Sequence, residues 1–461
     1  MPSIDDVIQE AERQFDSTIE VLSNYLRIPA ISCEKEHAQD VDRLAEKVRD
    51  DLEGLGMERS RVLRLPDALP IVAAEWLHAG EDKPTILVYG HMDLQPVAGE
   101  PWDTEPHEPV MRGERLFARG SADDMGGWVS HMAAVKAFFA AAGTLPVNLK
   151  LIIEGEEEIG SPNLERYMDA YGDVFASDVM ILTDCENPST EIPGLTVSLR
   201  GLLEVEVICE ALTQDVHSGL WGNVAPDAST ALFKLIARLI DEDGRFTLRQ
   251  DDVPDSWQAR AWDIPLDDDV VRLGAHVRDD VSPLPARGRP PAEWAWRQPA
   301  ITVLSTTLPS PAHEKNALRT RASATLSIRI APGHTADDVR AHLQRELLNK
   351  PAPGGVKVSL EEKPGGAESW LYTPSGPAFD AADAAYEKAW GHLPIQIGVG
   401  GSIPFVAIFG RRFGNLPLIL NGVMDPETGA HGPNESMHLG VFKRTIHANI
   451  HLLNELSTLN L

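Results

Sequence analysis

Cysteine is scarce: Cys33, Cys185 and Cys209 are the only three in 461 residues. Odd in number, widely spaced and without a C-x-x-C motif, they argue against a disulfide framework and fit a reducing compartment. Long apolar runs are missing as well, since no stretch of about 18 apolar residues occurs. The opening MPSIDDVIQEAERQF carries acids where a secretory signal needs a basic start and an apolar centre. A cytoplasmic protein is expected. Positive charge is also short, with 41 Lys and Arg against 70 Asp and Glu and a net charge of −29. That balance argues against nucleic acid or an anionic membrane as a partner held by a general electrostatic field.

What is present reads as an ordinary globular protein, 43% hydrophobic and 24% charged. The chain is too long for one compact core, so two or three domains are expected. Helical spacing of Ile4, Val7, Ile8, Ala11, Phe15, Ile19, Leu22 and Leu26 predicts a long opening helix capped by Ser3. A helix over 38–53 and short strands at 61–65 and 70–76 follow. Apolar strands at 85–90, 147–154 and 178–184 then alternate with helices at 126–141 and 162–170. This alternation predicts a mainly parallel α/β sheet, whose sites form beyond the carboxyl ends of its strands.

From about 197 the texture changes. LTVSLRGLLEVEVICEA and ATLSIRIAPG alternate as half-exposed strands do, and helices are expected at 227–241 and 335–349. Two strand segments and two helices imply an α+β domain inserted into the first. Residues 243–300, rich in Pro, Asp, Arg and Trp, read as an excursion within it. The boundaries expected are 1–196 and 377–461 for a split α/β domain and 197–376 for the insert.

Five segments carry residues of metal-ligand type: YGHMD with His91 and Asp93, GSADDMGG with Asp123 and Asp124, EGEEEIGS, ILTDCE with Asp184, and GAHGPNES with His431. Alone, an Asp pair before a helix is an N-cap and a glutamate run is a solvated loop. Position changes the reading. Three of the five follow predicted strands and a fourth opens a predicted helix, so sheet topology can gather them at one edge. Carboxylates crowded there repel one another unless cations neutralise them. Histidine and carboxylate without thiolate suit zinc first, then manganese or cobalt, all ahead of calcium, which prefers an all-oxygen cage. Asp93, two residues beyond His91, is placed to hold the second nitrogen of that imidazole.

Taken together, YGHMDLQPV, ARGSADDMGG, EGEEEIGS, DVHSGLWGN, GVGGSIP and GAHGPNES resemble the carnosinase and cytosolic dipeptidase branch of the co-catalytic dizinc metallopeptidases. That family also holds aminoacylases, glutamate carboxypeptidases and succinyl-diaminopimelate desuccinylases. The matches run in order from about 85 to 438. The resemblance implies a split catalytic α/β domain with an inserted dimerisation or lid domain, and a homodimer. It implies two divalent metal ions about 3.5–4 Å apart, bridged by Asp123, with His91 and Asp184 on one and Glu158 and His431 on the other. Glu157 becomes the general base, Asp93 the tuner of His91, and the Asp123–Asp124 peptide bond cis. His217 would stabilise the oxyanion in the other subunit's site. Arg329 would bind the substrate carboxylate, with Asn316, Gly401 and Ser402 as further substrate contacts.

Two departures bear on the substrate pocket: Met125 stands where the family usually has lysine, and ALRT (317–320) replaces an I-P-R-K-like segment. The function expected is metal-dependent hydrolysis of dipeptides or short peptides with a free C-terminal carboxylate. An N-acyl amino acid amidohydrolase or desuccinylase would use the same machinery, and an inactive metal-binding scaffold is the reading from a different class.

Overall fold

The computed structural model describes residues 3–400, 404–413 and 416–459. Its first helix, Ile4–Leu26, starts as its sequence requires. Ser3 Oγ accepts the Asp6 N–H and the Asp6 carboxylate accepts the Ser3 N–H at 2.9 Å, a reciprocal cap. The buried stripe of Val7, Ala11, Leu22 and Leu26 packs this helix against two others, Met125–Ala142 and Leu439–Leu456.

These helices cover one face of a nine-stranded sheet. At its centre Asn148–Glu154, Thr85–His91, Val179–Leu182 and Leu418–Leu420 run parallel, in that spatial order. Antiparallel strands flank this centre, Ile71–Trp76 and Glu58–Leu63 on one side and Gly194–Leu199 on the other. The sheet is therefore mixed, with its parallel part where the site residues emerge. Along TILVYGH, Ile86 and Val88 enter the core under the long helices, while Leu87 and Tyr89 enter a second core on the opposite face. Burial on both faces explains the unbroken apolar run.

A second, wholly antiparallel sheet has the order Ala300–Thr306, Arg321–Ile330, Gly201–Glu210, Lys357–Glu362. Leu203, Val205, Val207 and Cys209 alternate into a core beneath helices Ala228–Ile236 and Ala336–Leu343. Sequence periodicity showed two of its four strands. The other two were missed because Ala300–Thr306 is mostly exposed and Lys357–Glu362 is charged at both ends, so neither carries a clean apolar alternation. The helix expected over 335–349 is α-helical to Leu343 and continues as a π-helical turn, Gln344–Leu348.

Residues 243–300 form three short helices, Asp255–Ala261, Asp268–Gly274 and Pro291–Trp296. Trp296 joins Ala261, Ala292 and Ile397 in a small core of their own. The guanidinium of Arg245 lies 4.0 Å from the centre of the Trp294 ring, a cation–π contact that anchors the excursion.

Candidate metal centre

His91 is the last residue of the strand Thr85–His91. Asp123 and Asp124 immediately precede the helix Met125–Ala142. Glu157 and Glu158 form a 3-10 turn after the strand Asn148–Glu154, and Asp184 lies two residues beyond Val179–Leu182. His431 comes from the loop before Ser436–His438, held at a φ of 62°. Parallel strands deliver three of these segments to one edge, as open α/β sheets do.

Ligand atoms of His91, Asp123 and Asp184 lie within 4.8 Å of one another, and so do those of Asp123, Glu158 and His431. Asp123 belongs to both sets, with Oδ1 3.2 Å from His91 Nε2 and Oδ2 3.1 Å from His431 Nε2. His431 Nε2 is also 3.3 Å from Glu158 Oε2. The Asp123–Asp124 peptide bond is cis.

Around this cluster the backbone is tied down by carboxylates. Asp93 Oδ1 accepts the Glu157 N–H at 3.1 Å and Oδ2 the Glu158 N–H at 3.0 Å. It is the backbone carbonyl of Asp93 that approaches His91 Nδ1 most closely, at 3.1 Å, against 3.5 Å for its carboxylate. Asp93 thus couples the His91 ring to the two glutamates. Asp124 accepts the His91 N–H at 3.2 Å and the Thr183 hydroxyl at 2.6 Å. Gly127 makes room for it, because a Cβ there would sit 1.9 Å from Asp124 Oδ1. Glu435 Oε1 accepts the N–H groups of both Ala122 and Asp123 at 3.2 Å, and its Oε2 accepts Arg119 Nη1 at 3.0 Å.

The other two glutamates of EGEEEIGS are hydrogen-bonded and buried. Glu154 takes the Tyr89 and Ser161 hydroxyls. Glu156 takes the Leu69 N–H at 2.8 Å and Asn163 Nδ2 at 2.9 Å. Both brace the turn that presents Glu157 and Glu158.

Electrostatics follow from crowding. Burial pushes Glu158 and Asp184 well above the ordinary carboxylate range and Glu157 up to about 7. Burial acts the same way on Asp123, but hydrogen bonds from His431 and His91 outweigh it and hold this carboxyl below its ordinary value. Burial alone would lower His431, yet Asp123 raises it to about 9. Without cations, then, protonated histidines and protonated acids balance the charge. The donor set of two imidazoles and three carboxylates, with no thiolate and one shared aspartate, suits a pair of divalent cations in their place.

The remaining predicted residues sit apart from this donor set. His217 is exposed on a two-stranded ribbon, paired with Ala317, and its Nδ1 accepts the Gly219 N–H at 3.0 Å. Asn316 joins the same ribbon, its carbonyl accepting the Ser218 N–H at 3.0 Å. The ALRT segment is held there by Asp215, which accepts Arg319 Nη1 and the Thr320 N–H, both at 3.0 Å. Arg329, half-buried on the second sheet opposite Leu202, lies near Arg200. Burial and the charge of Arg329 together lower Arg200 to about 10. Gly401 and Ser402 lie outside the described residues. Met125 is fully buried at the start of its helix, so it fills core volume where a lysine would need a charge partner. His131 is likewise buried in the core, which keeps it neutral.

Sequence reasoning gave no role to Arg119, Glu435 and Gln95, the last of which donates to Glu158 Oε2 at 2.7 Å. All three lie inside the quoted motifs. Asp124 stood out as a ligand type, but its carboxylate accepts the His91 N–H and the Thr183 hydroxyl and is in neither ligand set.

The sequence pattern of Peptidase family M20/M25/M40 matches residues 87–455. The chain belongs to this peptidase family. Within M20, a cysteinylglycine-S-conjugate dipeptidase of Corynebacterium striatum is 32% identical over 430 residues, 92% of this chain and 91% of that protein. A Cys-Gly metallodipeptidase of Saccharomyces cerevisiae is 27% identical, covering 95% of each chain. The human Beta-Ala-His dipeptidase is 26% identical over 94% of this chain and 89% of its own. Among solved M20 relatives, human carnosine dipeptidase 1 superposes with a TM-score of 0.82 at 24% identity, covering 99% of this chain and 100% of its own. These likenesses place the chain in the carnosinase and cytosolic dipeptidase branch of the M20 family.

Proposed function

We propose that this protein hydrolyses the amide bond of dipeptides with a free C-terminal carboxylate in a metal-dependent reaction, cysteinylglycine and its S-conjugates being the first substrates to try. The observation that carries the reading is Glu157, which is held at the edge of the two ligand sets by Asp93 and is outside both of them. His91, Asp123 and Asp184 would hold one divalent ion, and Asp123, Glu158 and His431 the other. When bound, such ions polarise a carbonyl and lower the pKa of water. Glu157 takes the proton of the attacking water and returns it to the leaving amine.

Arg329 suits the substrate carboxylate, since a guanidinium offers two parallel donors, with Asn316 as a further substrate contact, and Gly401 and Ser402 are assigned to the substrate backbone. His217 is assigned to the oxyanion across a homodimer. Exposed Leu220, Trp221 and Val224 beside it supply an apolar face for a second copy. Zinc is the metal favoured by the donor set, ahead of manganese and cobalt. Residues 1–196 and 377–461 are assigned to the catalytic domain and 197–376 to the insert. The three cysteines are free, which agrees with a cytoplasmic setting, and no helix among the described residues is long and apolar enough to cross a membrane.

The test is a panel of dipeptides, β-alanyl peptides and N-acyl amino acids given to protein reconstituted with zinc, manganese or cobalt. Turnover of dipeptides is expected. Turnover confined to N-acyl amino acids would move the protein to the amidohydrolases, and none at all would leave a scaffold.

A further inference from the structure

A cavity of about 630 Å³ opens between the 243–300 excursion and the loops that follow the parallel strands. Its walls are mostly apolar, with Phe246, Ile264, Val271, Leu284 and Trp296 from the excursion side and Ile397 from the sheet. The volume falls in the range of small-molecule sites. Glu186 lines it too, two residues after Asp184. That residue is exposed, and among the described residues no cation lies within ion-pair distance of its carboxylate.

The other charged groups on the wall are committed elsewhere or face water. Arg200 donates to the carbonyls of Gly400 and Gln298. Arg245 stacks on Trp294 and donates to the Pro285 carbonyl. Asp268 is a solvent-exposed residue in the first turn of its helix. Among the described residues Glu186 and Asp268 are the anions of this wall with no ion-pair partner, and of the two only Glu186 stands beside a candidate metal ligand in the chain. Two residues of chain span at most about 7 Å, so Glu186 is a short step from Asp184 of the first ligand set. In a dipeptide the free ammonium and the first side chain are both carried on the α-carbon bonded to the scissile carbonyl.

We propose that the cavity receives a bulky apolar side chain on the N-terminal residue of the substrate, and that Glu186 binds the free ammonium beside it. The proposal rests on the dipeptidase reading and narrows it to dipeptides such as S-benzyl-cysteinylglycine. An N-acylated residue lacks the cation and would leave Glu186 facing an apolar group without a partner, which disfavours such substrates.

The test compares kcat/KM for S-benzyl-cysteinylglycine and alanylglycine in the metal-loaded wild type and two variants, Val271→Phe and Glu186→Gln, each checked for metal content and circular dichroism. Val271→Phe is expected to lower the ratio of the large to the small substrate by about 10-fold or more. Glu186→Gln is expected to raise KM for S-benzyl-cysteinylglycine by about 10-fold, with a smaller change in kcat. Calorimetric binding of S-benzyl-cysteine, which has the ammonium and side chain but no scissile amide, should weaken in both variants. A wild type that cleaves alanylglycine while both variants shift the ratio and the binding by less than about 2-fold overturns the cavity assignment and leaves the peptidase reading intact. A wild type that cleaves no dipeptide, yet binds S-benzyl-cysteine in a manner both variants weaken, overturns the peptidase reading and keeps the cavity as an amino acid site.

Discussion

Glu435 Oε1 accepts the backbone N–H of Asp123 at 3.2 Å, so a side chain from the last part of the chain fixes the residue shared by both ligand sets. The other oxygen of Glu435 holds Arg119, and both side chains are about 1% exposed. Glu435→Ala removes an anion from a buried guanidinium that keeps Glu100 as a second partner at 3.3 Å. A loss of about 3 kcal/mol in unfolding free energy is expected, together with weaker metal binding. Urea unfolding reads the first; a loss under about 1 kcal/mol would mean that the pair is not structural.

Glu157 has no place in either ligand set, so its replacement separates chemistry from metal binding. Glu157→Gln should lower kcat by about 10²- to 10⁴-fold while the metal content measured by emission spectroscopy stays near wild type. Surviving activity would mean that another group moves the proton.

Asp93 touches His91 and both glutamate amides. Asp93→Ala should weaken metal affinity by about 10- to 100-fold, read by competition with a chromogenic chelator. Wild-type affinity would reduce Asp93 to a turn residue.

Protons must leave when cations enter. Asp123 holds His431 at about 9, so in the metal-free protein this imidazole is charged at every pH below that value. Glu158 and Asp184, raised by burial, retain protons in the same direction. Apparent metal affinity should therefore rise with pH up to about 9, with net proton release at neutral pH. Calorimetry in buffers of different ionisation enthalpy measures that release, and a flat affinity from pH 6 to 9 would contradict the charge balance described here.

The dimer is tested directly. Sedimentation should give twice the chain mass, and His217→Ala should cost about 10²- to 10³-fold in kcat, the loss expected for an oxyanion donor. Partial recovery on mixing with inactive Glu157→Gln protein would show the histidine acting across subunits; a monomer of full activity would not fit this role.

Local chemistry was legible wherever a residue type implies its own use. Histidines and carboxylates at strand ends announce candidate ligands, and the alternation in GLLEVEVICE announces a strand. Support was harder to read. Glu435 and Arg119 are 316 positions apart, and nothing local ties a buried carboxylate near the C-terminus to the backbone of Asp123. Strand counting failed for a similar reason in the second sheet, where Lys357–Glu362 takes its place by pairing with Gly201–Glu210 and not through its own periodicity.

By itself, then, the sequence determined the opening helix, the apolar central strands, the candidate ligand types and the order of the motifs, because helix caps, strand alternation and side-chain chemistry act over a few neighbouring residues. Tertiary structure alone decided that Asp123 faces both His91 and His431, that Glu154 and Glu156 brace the turn while Glu157 and Glu158 face the site, and that Glu186 opens into an apolar cavity. Those outcomes depend on parallel strands from distant positions ending at one edge, a juxtaposition set by sheet order and core burial rather than by any local pattern.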